Sequence, residues 1–132
     1  MLLFLVDARA QSSEPARLPP ETVLLFVASW CAPCHGELAR LPQIARSARP
    51  YRVLVVAFDD SRATRAMLAP VPAAQRWQPD RTTQRRLAAE VERRSAGLPF
   101  SLATDRGAGI CAVQAEALDA AQVAAMVATC RK

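Results

Sequence analysis

Lysine is almost absent from this 132-residue chain: Lys132 is the only one, so the net charge of +5 is carried by arginine. Aromatic side chains are also scarce, at 5% of residues. A nucleic-acid surface needs clustered cations and, for single strands, rings on which bases stack. Here the arginines are scattered among acids, which reads as a solvated basic surface and sets nucleic acid aside as a partner. No apolar run approaches the ~20 residues that a membrane helix requires, so no integral span is expected. Internal repeats are missing too. What is present is a chain that is 52% hydrophobic and long enough for one core and one domain. Its four cysteines are compatible with an oxidising compartment without requiring it.

Two of those cysteines lie in the most informative stretch, Val23-Leu24-Leu25-Phe26-Val27-Ala28-Ser29-Trp30-Cys31-Ala32-Pro33-Cys34-His35. It opens as an apolar run of strand length, rich in β-branched and aromatic residues, which suits a buried central strand. After Cys34 the period changes, and Leu38, Leu41 and Ile44 recur as one face of a helix. A strand feeding a helix through Cys-x-x-Cys places Cys31 at the helix N-terminus. There the unsatisfied N–H groups and the helix dipole stabilise a thiolate. Pro33 is tolerated in the first helical turn.

The same residues admit two other readings. Cys31-x-x-Cys34-His35 matches a c-type haem attachment site with His35 as axial ligand, and it also matches half of a zinc site completed by Cys111 or Cys130. Context favours a redox dithiol. Haem attachment does not call for a buried strand running into the first cysteine. His35 is the only histidine, which leaves Met67 or Met126 as the other axial ligand. Cys111 and Cys130 stand singly rather than as a close pair. No metal is expected, and no cofactor beyond a redox-active Cys31–Cys34 disulfide.

The strand, the motif and the following His35-Gly36-Glu37-Leu38 resemble the active-site region of the thioredoxin superfamily. The likeness is stronger to its TlpA-like branch of thiol–disulfide oxidoreductases. Gly97-Leu98-Pro99, ahead of the strand-like Phe100-Ser101-Leu102-Ala103, is similar to that family's cis-proline segment. The resemblance runs from Thr22 to the C-terminus. It implies a thioredoxin-like three-layer α/β sandwich over residues 22–132, with a central mixed sheet and helices on both faces. A short N-terminal extension, residues 1–21, precedes it.

The resemblance also implies roles. Cys31 is the exposed nucleophile at the helix end and Cys34 resolves the intermediate, while Trp30, Leu98 and Pro99 dock the substrate; for Trp30 the alternative is a packing role. Glu37 matches a glutamate common in the TlpA-like pattern and is a candidate for proton transfer; the alternative is an exposed helix carboxylate. Thioredoxin carries a buried carboxylate on the strand before its cysteines, and Leu25 stands there in this chain. Proton exchange with Cys34 then falls to water, Glu37 or the partner. His35 is expected at the surface. The implied partners are protein thiols and disulfides with an upstream electron donor, and the implied setting is cell redox homeostasis by a monomer. A non-catalytic thioredoxin-like module, binding through the groove around Trp30 and Pro99, is the competing class of function.

The rest of the chain supplies the frame. Met1-Leu2-Leu3-Phe4-Leu5-Val6, with Ala8-Arg9-Ala10 resembling a signal-peptidase site, reads as the remnant of an export signal. That points to the periplasm or cell envelope, with a cytoplasmic alternative if residues 1–10 have no targeting role. Residues 11–21 form an irregular lead-in. The pattern predicts a helix over 33–46 kinked by Pro42, a strand over 51–58 and a short helix to Leu68 behind the Asp59-Asp60-Ser61 cap. Residues 73–81 have no clear assignment. A helix capped by Thr82 or Thr83 reaches Ser95 and is ended by Gly97. A hairpin pairs 100–104 with 110–114. Asp119 caps a last helix with Val123, Met126, Val127 and Cys130 on one face.

From Cys111 the strand and turn advance roughly 15 Å, and the helix from Asp119 returns a similar distance at ~1.5 Å per residue. Cys130 is thereby brought back toward Cys111, and a structural disulfide between them is expected. The alternative is two buried free thiols, with Cys111 on the other face of its strand.

Overall fold

Strand β1 (Thr22–Val27) sits at the centre of the sheet because both of its faces are apolar. Val23, Leu25 and Val27 point to one side and Leu24 and Phe26 to the other, and all are buried. A strand covered on both faces loses the usual apolar–polar alternation. Around it the order is β2-β1-β3-β4, with β2 at Arg52–Ala57, β3 at Phe100–Thr104 and β4 at Ile110–Gln114. β1 pairs with β2 in parallel and with β3 antiparallel, and β3–β4 is an antiparallel hairpin. The computed structural model describes residues 17–132; the export-signal reading of residues 1–10 and the lead-in over 11–16 fall outside them.

Helices cover both faces, as a three-layer sandwich requires. On one side α1 (Ala32–Ala39), α2 (Leu41–Ala48), α3 (Arg62–Leu68) and α5 (Ala120–Cys130) bring Leu41, Ile44, Leu68, Val123 and Val127 against Val23, Leu25 and Val55. On the other, α4 (Arg81–Arg94) sets Leu87 and Val91 against Leu24, Phe26, Val56 and Phe100. The rings of Phe26 and Phe100 lie 6.1 Å apart between centroids.

Several caps form where the sequence places them. Ser61 Oγ accepts from the Thr64 N–H at 3.1 Å and is itself held by Asp59 Oδ1 at 2.8 Å. Asp119 and Gln122 form a reciprocal capping box ahead of α5. The hairpin turn is tied by Asp105 Oδ1, which accepts from the Gly107 and Gly109 N–H groups at 2.9 and 3.0 Å.

Three features differ from the sequence expectation. The helix over 33–46 is two helices, broken at Arg40, with Pro42 in the first turn of the second. Proline lacks the N–H that residue 38 would receive, and its ring crowds that carbonyl; the chain restarts the helix rather than bending it. Helix α4 is capped by Asp80, whose Oδ1 accepts from the Thr83 N–H at 2.7 Å, so neither Thr82 nor Thr83 is the cap. The helix stops at Arg94 with Ser95 as its C-cap, and Gly97, at φ 140°, turns the chain only afterwards. Residues 73–81 contain a 3₁₀ turn, Ala73–Gln75. Arg76 then bridges Val55 in parallel, and the Trp77 N–H donates to Val55 O at 3.0 Å. This segment covers part of the outer edge of β2, a protection that sheet edges generally need.

Cys111 on β4 and Cys130 at the end of α5 are joined by a disulfide, with Cα atoms 5.3 Å apart. The hairpin register sets Ile110 opposite Thr104 and Ala112 opposite Ala103, so this bond lies at the end of the sheet where β3 finishes.

Candidate active site

The opposite end of the sheet gathers the residues that the motif singled out. β1 and β2 finish there side by side, Val27 beside Ala57. The β1–β3 register sets Phe26 opposite Phe100, which brings Leu98 and Pro99 level with the residues just after Val27. The Leu98–Pro99 peptide is cis. Leu98 and Pro99 are half-buried, and Leu98 packs against both core clusters.

From Val27 the chain makes a tight turn, with the Cys31 N–H donating to Ala28 O at 3.0 Å. Cys31 is the N-cap of α1, in an extended conformation at φ −92° and ψ 100°. Its Sγ accepts from the Cys34 N–H at 3.3 Å, one of the donors that a helix start leaves without an intrahelical partner. Cys31 and Cys34 are joined by a disulfide, with Cα atoms 5.3 Å apart. The two sulfurs therefore represent the oxidised protein, with neither proton nor charge on either. Cys34 Sγ lies 3.8 Å from Phe26 O, an acceptor within reach of the thiol that reduction would form.

Cys31 is 3% exposed and Cys34 fully buried. The sequence places Cys31 at an exposed helix end; its bond to a core cysteine instead draws the side chain inward. All four cysteines are thus paired, Cys31 with Cys34 and Cys111 with Cys130.

Beside the disulfide, Trp30 is 60% exposed. Its indole N–H donates to Asp59 Oδ2 at 2.9 Å, and its ring meets Phe58 edge-on at 6.0 Å. Burial acts to raise the Asp59 carboxyl, but hydrogen bonds from Thr64, Ser61 and Trp30 hold it below its ordinary value. One edge of the indole is thus fixed while much of it faces solvent. His35 is exposed, as expected, with Nε2 2.9 Å from Ser29 O; that contact is a hydrogen bond when Nε2 carries the proton. Leu25 is fully buried among apolar neighbours.

Glu37 is fully buried, which corrects the exposed-carboxylate alternative. It lies one turn beyond Cys34, on a shared face of α1. Its Oε2 accepts from the Leu118 N–H at 2.7 Å, and Oε1 has no hydrogen-bond partner among the described residues. Arg40 Nη2 donates to Leu118 O at 3.0 Å, so both backbone groups of Leu118 are held from the α1 side. Burial pushes the Glu37 carboxyl up from 4.5 to about 7, against the opposing pull of the Leu118 N–H and Arg40. Its match to the TlpA-like pattern marks Glu37 in the sequence. Leu118 escapes sequence reading, because its contribution is made by backbone atoms.

Linkage fixes the sign of the consequence. Below the ordinary value of 4.5 both folded and unfolded states hold the proton; between 4.5 and about 7 the unfolded chain ionises first, so stability falls as pH rises, and above about 7 that loss is complete. Glu37→Gln keeps an oxygen for the Leu118 N–H and removes the titration. Denaturation at pH 4.5, 6 and 8 is expected to show the wild type losing stability relative to this variant across the window. Parallel pH profiles for the two proteins would overturn the assignment.

Among the described residues no helix is long and apolar enough to cross a membrane. No protein-family description matches the sequence, and no curated protein matches it. Solved structures do match. The structure of MTB DsbF, in mixed oxidized and reduced forms, aligns with 22% identity and a TM-score of 0.59, covering 81% of this chain and 78% of that one. A secreted Mycobacterium tuberculosis disulfide oxidoreductase homologous to E. coli DsbE aligns with 16% identity and a TM-score of 0.53, covering 81% of this chain and 79% of the other. At such identities the likeness is one of architecture, and with the mixed sheet, the two helical layers and the Cys31–Cys34 pair at the start of α1 it assigns this chain the thioredoxin-like fold.

Proposed function

We propose that the chain is a thiol–disulfide oxidoreductase of the TlpA-like type, exchanging electrons with protein disulfides through Cys31-Ala32-Pro33-Cys34. The observation that carries this reading is the bonded cysteine pair at the N-terminus of α1, with Cys31 Sγ taking the Cys34 N–H. In the reduced protein the same N–H, with the helix dipole, favours the Cys31 thiolate. That thiolate attacks one sulfur of a partner disulfide, and the other partner sulfur leaves as a thiolate. Cys34 then gives up its proton and attacks Cys31 Sγ, so the second partner sulfur leaves and the Cys31–Cys34 bond forms. Two electrons pass from the protein to the partner, and the reverse sequence oxidises a partner dithiol.

Glu37, with a carboxyl near 7 and one turn from Cys34, is suited to take up and return the Cys34 proton near neutrality. Trp30, Leu98 and Pro99 form the docking surface, the indole offering its exposed area beside the sulfurs. In working as a reductase within cell redox homeostasis, the chain draws its electrons from an upstream donor and acts as a monomer. A periplasmic or envelope setting is supported by the second disulfide, Cys111–Cys130, which persists most readily under oxidising conditions, and by the secreted character of one structural neighbour.

Incubation of the reduced protein with an insulin-type protein disulfide tests the reading. We expect thiols to appear on the substrate faster than with an equal concentration of a small dithiol. Iodoacetamide labelling of the reduced protein should modify Cys31 first, well below the ordinary cysteine pKa of about 8.5. Absence of exchange in both directions would leave the binding-module reading in its place.

A further inference from the structure

Two cavities open on the same side of the molecule and meet. One, of about 500 Å³, starts at His35, next to Cys34, and is lined by apolar side chains including Leu41, Met67 and Val71. The other, of about 390 Å³, lies at the far end of α2 and is lined by Arg46, Arg49 and Arg52. Pro42 and Gln75 line both. The result is one groove, apolar where it starts at His35, the residue after Cys34, and basic at its distal end.

Among the described residues no carboxylate lines either cavity. Elsewhere Arg65, Arg81, Arg93, Arg94 and Arg106 are paired with acids, whereas Arg46, Arg49 and Arg52 enter no ion pair among the described residues. Arg52 is partly engaged, its Nε donating to Thr22 Oγ1 at 3.1 Å. Three like charges around one open cavity repel one another, and a bound anion relieves that repulsion.

We infer that this groove seats an extended segment of the protein substrate, with apolar side chains next to its cysteine and acidic side chains on Arg46, Arg49 and Arg52. The inference rests on the oxidoreductase reading and names the class of substrate. Spacing makes it specific. At ~1.5 Å per residue along α1 and α2, Arg46 and Arg49 stand at most roughly 22–27 Å from Cys31, which the substrate cysteine engages. An extended chain covers that in about seven or eight residues. The preferred partner therefore carries its acidic cluster about seven or eight positions from the reacting cysteine.

The test uses the full chain and fluorescent peptides of three designs. In one an acidic triplet sits about seven residues from the cysteine position; in another the triplet is adjacent to it; in the third, asparagines replace the acids. With serine in place of the cysteine, binding is read by anisotropy without any redox step. The distant acidic triplet is expected to bind about tenfold more tightly than the asparagine peptide, the gain of a few exposed ion pairs. The double substitution R46Q/R49Q should abolish that advantage, R46K/R49K should retain most of it, and rising salt should erode it.

Equal affinity for acidic and asparagine peptides overturns the inference. So does equal gain from both triplet positions, which would mean attraction to net charge alone. Survival of the advantage in R46Q/R49Q does the same. The cysteine-containing peptides, supplied as mixed disulfides with 2-mercaptoethanol, report the chemistry separately. Charge-selective binding without exchange supports the groove and overturns the oxidoreductase reading; exchange without charge selectivity does the reverse.

Discussion

Cys31→Ser is expected to lower thiol–disulfide exchange by roughly three orders of magnitude or more, because it removes the group that attacks the partner. A serine hydroxyl at the helix N-terminus still accepts the Cys34 N–H, so the local fold should persist. Cys34→Ser should behave differently. It leaves the attacking sulfur in place and removes the one that releases the partner, so a mixed disulfide should accumulate. Non-reducing electrophoresis after incubation with a protein disulfide reads both outcomes at once. A stable adduct in the Cys31→Ser variant, and none in Cys34→Ser, would reverse the two roles. The difference in burial between Cys31 at 3% and Cys34 at 0% is small, so the expected asymmetry rests mainly on position along α1. Cys31 is the cap that receives a backbone N–H, and Cys34 lies within the helix under the sheet.

Removing the other disulfide should act on stability instead. The Cys111–Cys130 bond closes a loop of separation 19, for which chain-entropy reasoning gives about 3 kcal/mol. Cys111→Ala with Cys130→Ala is therefore expected to reduce the unfolding free energy by about that amount in urea denaturation. The fold should survive, since α5 remains docked through Val123, Met126 and Val127 and its N-terminus keeps the Asp119–Gln122 capping box. Exchange at Cys31–Cys34 should be unchanged, because the two bonds lie at opposite ends of the sheet. A loss below about 0.5 kcal/mol, the range of an ordinary surface substitution, would mean that the apolar face of α5 alone sets its stability.

Much of the architecture was legible before any coordinates, and for local reasons. β1 was readable because both faces of a central parallel-paired strand are buried, which leaves an unbroken apolar run. The hairpin at 100–114 and the caps at Ser61 and Asp119 were readable because turn and cap chemistry acts over a few residues. The start of α1 was readable for the same reason, the strand, the cysteines and the helical period being contiguous. Glu37 was marked only by its resemblance to a glutamate of the TlpA-like pattern.

Other features depended on partners far along the chain. Asp80, Thr82 and Thr83 all offer capping chemistry around the start of α4, and docking Leu87 and Val91 against the sheet selects Asp80. Residues 76 and 77 carry no strand signal, yet they complete an edge because Val55 is left open beside them. Glu37 could have faced solvent; the fold buries it, and burial raises its carboxyl against the pull of the Leu118 N–H, 81 residues away. Arg46, Arg49 and Arg52 read as ordinary surface charges until the end of α2 and the start of β2 fold around one cavity. The sequence by itself determined most of the elements, the Cys-x-x-Cys pair at the strand–helix junction and the apolar faces of the strands, since these follow from periodicity and short-range capping. Which carboxylate is buried, which arginines converge and which edge is covered were decided only by tertiary structure, because desolvation and charge proximity depend on atoms brought together from distant positions.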